Sequence, residues 1–220
     1  MSFLNTILEW EGPIVDIRPR FLAAHGEAIR AIGYEGPPED EVWRLYRLNS
    51  PDATMIRFGK APKVAEYSRI RSERLDSTDL MALDELQPLV VENLKVLKNM
   101  GACHLVSLSA NRDGINATLN RLDVWLYFEQ KRPLPQDRER RVEAIKQLTG
   151  GHHRTLAVAG TVSFAFAAGE AGCRVVGIKS GPCFPKLLRQ VGVDVFYENL
   201  DELTDALARR DPELQRIGIC

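Results

Sequence analysis

The chain has 220 residues, enough to bury one full hydrophobic core and a smaller second one. Its 29 lysines and arginines against 30 acids, with a pI near 6.4, exclude the basic footprint that nucleic acid or an acidic membrane surface requires, and they offer a basic partner nothing either. The opening MSFLNTILEWEG has no basic leader followed by a long apolar stretch, and no run approaches the roughly 20 apolar residues that span a bilayer, so a soluble cytoplasmic protein is expected.

In chain order, six short β-rich runs stand out: Thr6 to Trp10, Cys103 to Leu108, Val124 to Phe128, Thr155 to Ala159, Arg174 to Ile178 and Asp194 to Tyr197. Helical patterns separate them, and that alternation predicts an α/β fold with a parallel, Rossmann-like sheet. The first run ends in Glu9-Trp10-Glu11-Gly12-Pro13, two acids at i and i+2 on one face of a strand end, running into a turn. Between Ile17 and Leu83 no strand is predicted. FLAAHGEAIRAIG, EDEVWRLYRLN and APKVAEYSRIRSERL each read as an amphipathic helix, with turn formers at Gly33 to Pro38 and Ser50 to Gly59. This predicts a helical cap over residues 17–83, inserted into a core formed by 1–16 and 84–220, above the carboxyl ends of the strands. DELQPLVVENLKVLKNM carries apolar residues at 86, 89, 90, 94, 97 and 100, which predicts one helix from Asp84 to the stop at Gly101.

Several polar residues have ordinary readings. Ser107 and Ser109 either bind an anion or bond the adjacent backbone, and Lys131 and Arg132 taken singly read as the charged start of a loop. His152 and His153 are adjacent, which disfavours a shared metal, and His25 and His104 read as packed or surface groups. The cysteines, Cys103, Cys173, Cys183 and Cys220, form no C-x-x-C pair, so neither a disulfide framework nor structural zinc is expected. Cys183 lies near a possible helix start that would lower its pKa, but no general base is placed beside it. Trp43 and Tyr46 either pack the cap or line a cleft.

The segments TILEWEGPIVD, HLVSLSANRDG, KRPLP, LAVAGTVSFAFAAGEAGCRVVGIKSG and LLRQVGVDVFYENLDEL together resemble the haloacid dehalogenase superfamily, in particular its phosphoglycolate-phosphatase-like members with a helical cap. The resemblance covers nearly the whole chain. It implies an aspartate nucleophile and an aspartate acid/base two residues on; Glu9 and Glu11 occupy those positions, with Gly12-Pro13 for the family's Gly-Thr and Asp16 at an acid further along. It further implies phosphate binding by the Gly12 turn, by Ser107 and by either Lys131 or Arg132, and Mg²⁺ held by acids whose places are taken by Gly160 and Phe164.

The departures carry physical weight. A glutamate is one methylene longer than an aspartate, a displacement of roughly 1 Å that can cost about 10²-fold in rate. Glycine and phenylalanine supply no oxygen for a hard cation. The expectation is a degenerate site with no cofactor and no metal, in a protein that binds a small phosphorylated metabolite or a protein partner. A lysine or arginine, Lys131 or Arg132, is expected against Glu9 where the family has Mg²⁺. The alternative is an active phosphomonoester hydrolase using Glu9 as nucleophile with Mg²⁺; a third reading makes the fold a subunit of a larger assembly.

Overall fold

The computed structural model describes residues 4–48, 61–150 and 154–219. A six-stranded parallel sheet forms the centre, built from β1 (Asn5–Glu9), β4 (Cys103–Ser107), β5 (Gln130–Pro133), β6 (Thr155–Ala159), β7 (Arg174–Ile178) and β8 (Val195–Tyr197) in the order β5-β4-β1-β6-β7-β8. Strand residues alternate between two cores. Leu8, Leu105, Leu156 and Val158 face one side, whereas Ile7, Val106, Ala157 and Ala159 face the other. Both faces are covered by helices, which is why these strands read as continuous apolar runs instead of alternating ones.

On one side lie α5 (Val90–Met100), α6 (Arg112–Arg121) and α10 (Leu200–Arg209), with the short α11 (Pro212–Arg216) closing the end. The other carries α7 (Arg138–Thr149), α8 (Val162–Glu170) and the short α9 (Pro185–Arg189). Between β1 and α5 the chain makes the cap helices α1 (Arg18–Ala31), α2 (Glu39–Arg47), α3 (Val64–Leu75) and α4 (Thr78–Met81). Two short strands frame this insert, β2 (Val15–Asp16) and β3 (Glu85–Leu86), paired antiparallel. Among the described residues no helix is long and apolar enough to cross a membrane.

Two expected elements differ. Val124–Phe128 is a 3-10 turn over Trp125–Tyr127, with Leu126 76 % exposed, and the strand comes next, at Gln130–Pro133. Apolar, aromatic residues imitate a strand there, while the real one is polar because it lies at the sheet edge. The helix expected from Asp84 begins only at Val90, because Pro88 cannot continue a hydrogen-bonded turn and residues 85–86 pair with β2 instead. Ser50 to Gly59, His152, His153 and Cys220 lie outside the described residues.

Leu89 enters α5 with φ of 59° and is largely exposed. A side chain in the left-handed region strains the backbone, and glycine relieves that strain while remaining acceptable at an N-cap. Leu89→Gly is therefore expected to raise unfolding free energy by about 0.5–1 kcal/mol, read from urea denaturation.

Candidate functional site

Chain order reverses between β1 and β6: the strands that follow β1 build outward on one side, and the chain then returns to place β6 on the other. In an open α/β sheet the crevice at such a point, beyond the carboxyl ends of the strands, is where ligands bind. Glu9 is the last residue of β1 and fully buried at that crevice. Its Oε2 accepts from the backbone N–H of Gly160 (2.7 Å) and Thr161 (2.8 Å), and Oε1 lies 2.5 Å from the Thr161 hydroxyl. The two amides that lead into α8 are thus held by a side chain of the neighbouring strand, while the first turn of α8 is capped by the Thr161 hydroxyl, which accepts from the Phe164 amide.

Loops after three strands meet here with almost no side chain between them. Gly12 has φ of 104°, and a Cβ on it would stand 2.7 Å from the Gly181 Cα; one on Gly181 would stand 2.8 Å from the Gly160 Cα. A Cβ at Gly160 would run into the Glu11 carbonyl oxygen. Glycine at these positions is what allows the turn after β1 to touch the loops after β6 and β7.

Glu11 turns to the other side. Its Oε1 accepts from the Ser107 hydroxyl (2.6 Å) and lies 4.0 Å from Arg20 Nη2. Arg20, only 2 % exposed, comes from α1 of the cap, and its Nε is 3.0 Å from Asp84 Oδ1, an ion-pair contact without hydrogen-bond alignment. Asp84 Oδ2 accepts from the Trp10 indole N–H (3.0 Å), and the Asp84 carbonyl accepts from Arg121 (2.6 Å). Trp10 is packed in the core as expected, with its one polar atom satisfied in this way.

Two buried acids, Glu11 and Asp84, therefore share Arg20, and the buried Arg141 is the cation whose charge acts on Glu9. Burial, and then the neighbouring Glu11 charge, push Glu9 up to about 8, outweighing the hydrogen bonds that favour its ionised form. Burial also raises Glu11 against the pull of Arg20, and raises Asp84 to about 6. Oε2 accepts both amides and Oε1 accepts from the Thr161 hydroxyl, so burial raises the group against three bonds to its carboxylate form.

The remaining sequence-identified residues have partners of their own. Lys131 Nζ donates to the carbonyls of Phe128 (2.8 Å) and Trp125 (3.2 Å) and lies over the Trp125 ring. Arg132 donates to Gln147 (3.0 Å). Neither is the basic partner of the acids: Arg20 faces Glu11 and Asp84, and Arg141 is the arginine whose charge acts on Glu9. The Gly12 amide is taken by the Val15 carbonyl (3.0 Å), and Asp16 accepts from the Arg18 amide (2.8 Å). Phe164 is fully buried in the second core. Cys183 is buried, and burial pushes its thiol up to about 11, the reverse of the shift that a helix start would cause. Tyr46 stacks on Phe21 at 4.0 Å between centroids and Trp43 lies tilted against it at 5.6 Å, and Tyr46 also lines a cleft of about 130 Å³ with Leu108, Thr161, Val162, Ser163, Pro182 and Cys183. His25 bonds Tyr67 (2.8 Å) inside the cap, and His104 is buried in β4.

Arg20, Asp84 and Thr161 were not identified from sequence as site residues. Arg20 had a signal: it falls on the same helical stripe as Ile17, Phe21, Ala24 and Ala28, all buried. An arginine on a buried stripe needs a buried acid.

The Mg²⁺ implied by the resemblance does not fit these residues. Gly160 and Phe164 present no side-chain oxygen, the Glu11 carbonyl is closed off by Gly160, and both Glu9 oxygens are engaged by α8. Among the described residues no cluster of three or more His, Cys, Asp or Glu is placed to hold a metal ion.

No protein-family model and no curated protein matches the sequence. Solved structures do match the fold. A haloacid dehalogenase-like family hydrolase from Streptococcus pneumoniae superposes with a TM-score of 0.75 at 13% identity, covering 94% of this chain and 100% of its own. A predicted phosphatase from Clostridium acetobutylicum gives 0.71 at 13% identity, with 94% and 100% covered. A predicted phosphoglycolate phosphatase from Haemophilus somnus gives 0.72 at 17% identity, with 96% and 99% covered.

Two outcomes test this geometry. An acid whose folded pKa exceeds its unfolded value keeps its proton in the native state after the unfolded chain has released it, so stability falls with rising pH across that window. Glu9 acts between about 4.5 and about 8, at up to roughly 1.4 kcal/mol per pH unit. Glu9→Gln should remove this share, so urea midpoints of variant and parent should diverge in the variant's favour from pH 5 to 8. Gly160→Asp, which restores the family's acid, should cost about 3 kcal/mol by collision with the Glu11 carbonyl, and Mg²⁺ should leave the Tm of both proteins unchanged. By its strand order, its inserted helices and these likenesses, the chain has the haloacid dehalogenase-like hydrolase fold.

Proposed function

We propose that this protein retains the haloacid dehalogenase-like fold without metal-dependent phosphatase activity and serves as a binding protein. The observation that carries the reading is the state of Glu9: buried, pushed towards its neutral form, with both oxygens bonded to the loop after β6. A carboxylate nucleophile must be ionised and free to approach phosphorus in line. Glu9 meets neither condition.

Of the two occupants considered from sequence, a protein partner is favoured over a phosphorylated metabolite. Three of the four groups that would hold phosphate are engaged within the fold, Ser107 on Glu11, the Gly12 amide on Val15 and Lys131 on two carbonyls, while Arg132 bonds the neutral Gln147. The cleft beneath α2 has no lysine or arginine in its lining. Phosphate binding in such a place lacks the charge-assisted bonds that make it strong.

The test is inorganic phosphate release from a panel of phosphomonoesters with Mg²⁺, run on the parent and on Glu9→Gln purified identically. Equal, background release is expected from both. Mg²⁺-dependent release that vanishes in the variant would establish Glu9 as a nucleophile and overturn the proposal. In parallel, phosphate at about 10 mM should leave the Tm unshifted; a clear rise would restore the metabolite reading.

A further inference from the structure

The cap is joined to the core on three sides. At the hinge, Arg20 of α1 reaches Asp84 and Glu11, while Asp84 is gripped from the core by the Trp10 indole and by Arg121. The two connecting segments also pair with each other through β2 and β3, extended by Gln87 N–H to the Ile14 carbonyl (2.9 Å). On the α6 side, Asn111 Nδ2 donates to the Asp76 carbonyl (2.7 Å) and to Thr78 Oγ1 (3.0 Å), and Thr118 donates to the Met81 carbonyl (3.3 Å). At the front, Arg47 of α2 donates to the Lys179 carbonyl (2.6 Å), accepts from the Phe184 amide (3.0 Å), and places its guanidinium 4.4 Å from the Phe184 ring centroid.

We propose that cap and core form one rigid body, fixed at the hinge by Arg20, and that the crevice at the switch point does not open by cap rotation. Arg20 belongs to the cap, Glu11, Trp10 and Arg121 to the core, and Asp84 to the segment between them. Rotation would pull Arg20 away from Glu11 in a place where Arg20, Glu11 and Asp84 are all buried, and a buried charge stripped of its partner is strongly disfavoured. The aromatic stack of Phe21, Trp43 and Tyr46 would be disturbed by the same motion, since Phe21 follows Arg20 directly and Trp43 and Tyr46 sit on the helix that carries Arg47. The inference rests on these contacts and not on the absence of phosphatase turnover; it stands whether or not Glu9 proves reactive.

Native-state amide hydrogen exchange on the full chain tests it, because opening of a hinge appears as exchange well below the cost of global unfolding. The reporters are Val15 and Gln87, whose N–H groups donate to Trp10 and Ile14, with the β1 and β6 strand amides as reference. In the parent protein the hinge amides are expected to exchange within about tenfold of the slowest strand amides. A size-conserving triple variant, Glu11→Gln with Arg20→Met and Asp84→Asn, removes the charges together; its hinge protection is expected to fall about 100-fold while β6 and β7 stay protected. Hinge amides that exchange about 100-fold faster than β1 in the parent would overturn the proposal, and that measurement decides even if the variant does not fold. Full hinge protection in a folded triple variant would overturn the role of Arg20.

Discussion

Glu9 accepting the amides of Gly160 and Thr161 is the contact on which the remaining arrangement depends. It joins the carboxyl end of β1 to that of β6 across the point where strand order reverses, which is where an open α/β sheet takes its ligands. Gly160 is the complementary requirement. Any larger residue would hold the two loops apart, and the family's acid would collide with the Glu11 carbonyl.

Electrostatics follow from that closure. Glu9 and Glu11 are two neighbouring buried acids, and the structure answers each differently. Glu9 is pushed towards its neutral form by burial and by its neighbour, whereas Glu11 has the Ser107 hydroxyl and shares Arg20 with Asp84. Since Arg20 is carried by the cap, the charge it balances in the core also fixes the cap's position.

The sequence made the core legible because a parallel sheet covered on both sides leaves a coarse signature: short apolar runs at Thr6, Cys103, Thr155 and Arg174, each preceded or followed by a helical pattern. It misled at the sheet edge, where the aromatic Val124–Phe128 is a turn and the polar Gln130–Pro133 is the strand, since an edge strand need not be apolar. Asp84 was read as the start of a helix because its apolar spacing continued into α5, although Pro88 interrupts the backbone bonds such a helix would need. At the site, the register of Glu9, Glu11, Ser107 and Gly160 could be read, but their partners could not. Lys131 and Arg132 matched by position along the chain, while the arginine that matters lies on a different element and is brought in only by the tertiary fold.

The most direct measurement is the carboxyl carbon resonance of Glu9, followed by NMR from pH 5 to 9 in selectively labelled protein. The account predicts a protonated carboxyl through pH 7, titrating near 8. A Glu9 already ionised at about pH 5 would contradict it, for the crevice would then hold a charged acid of the kind a metal or a phosphoryl group requires.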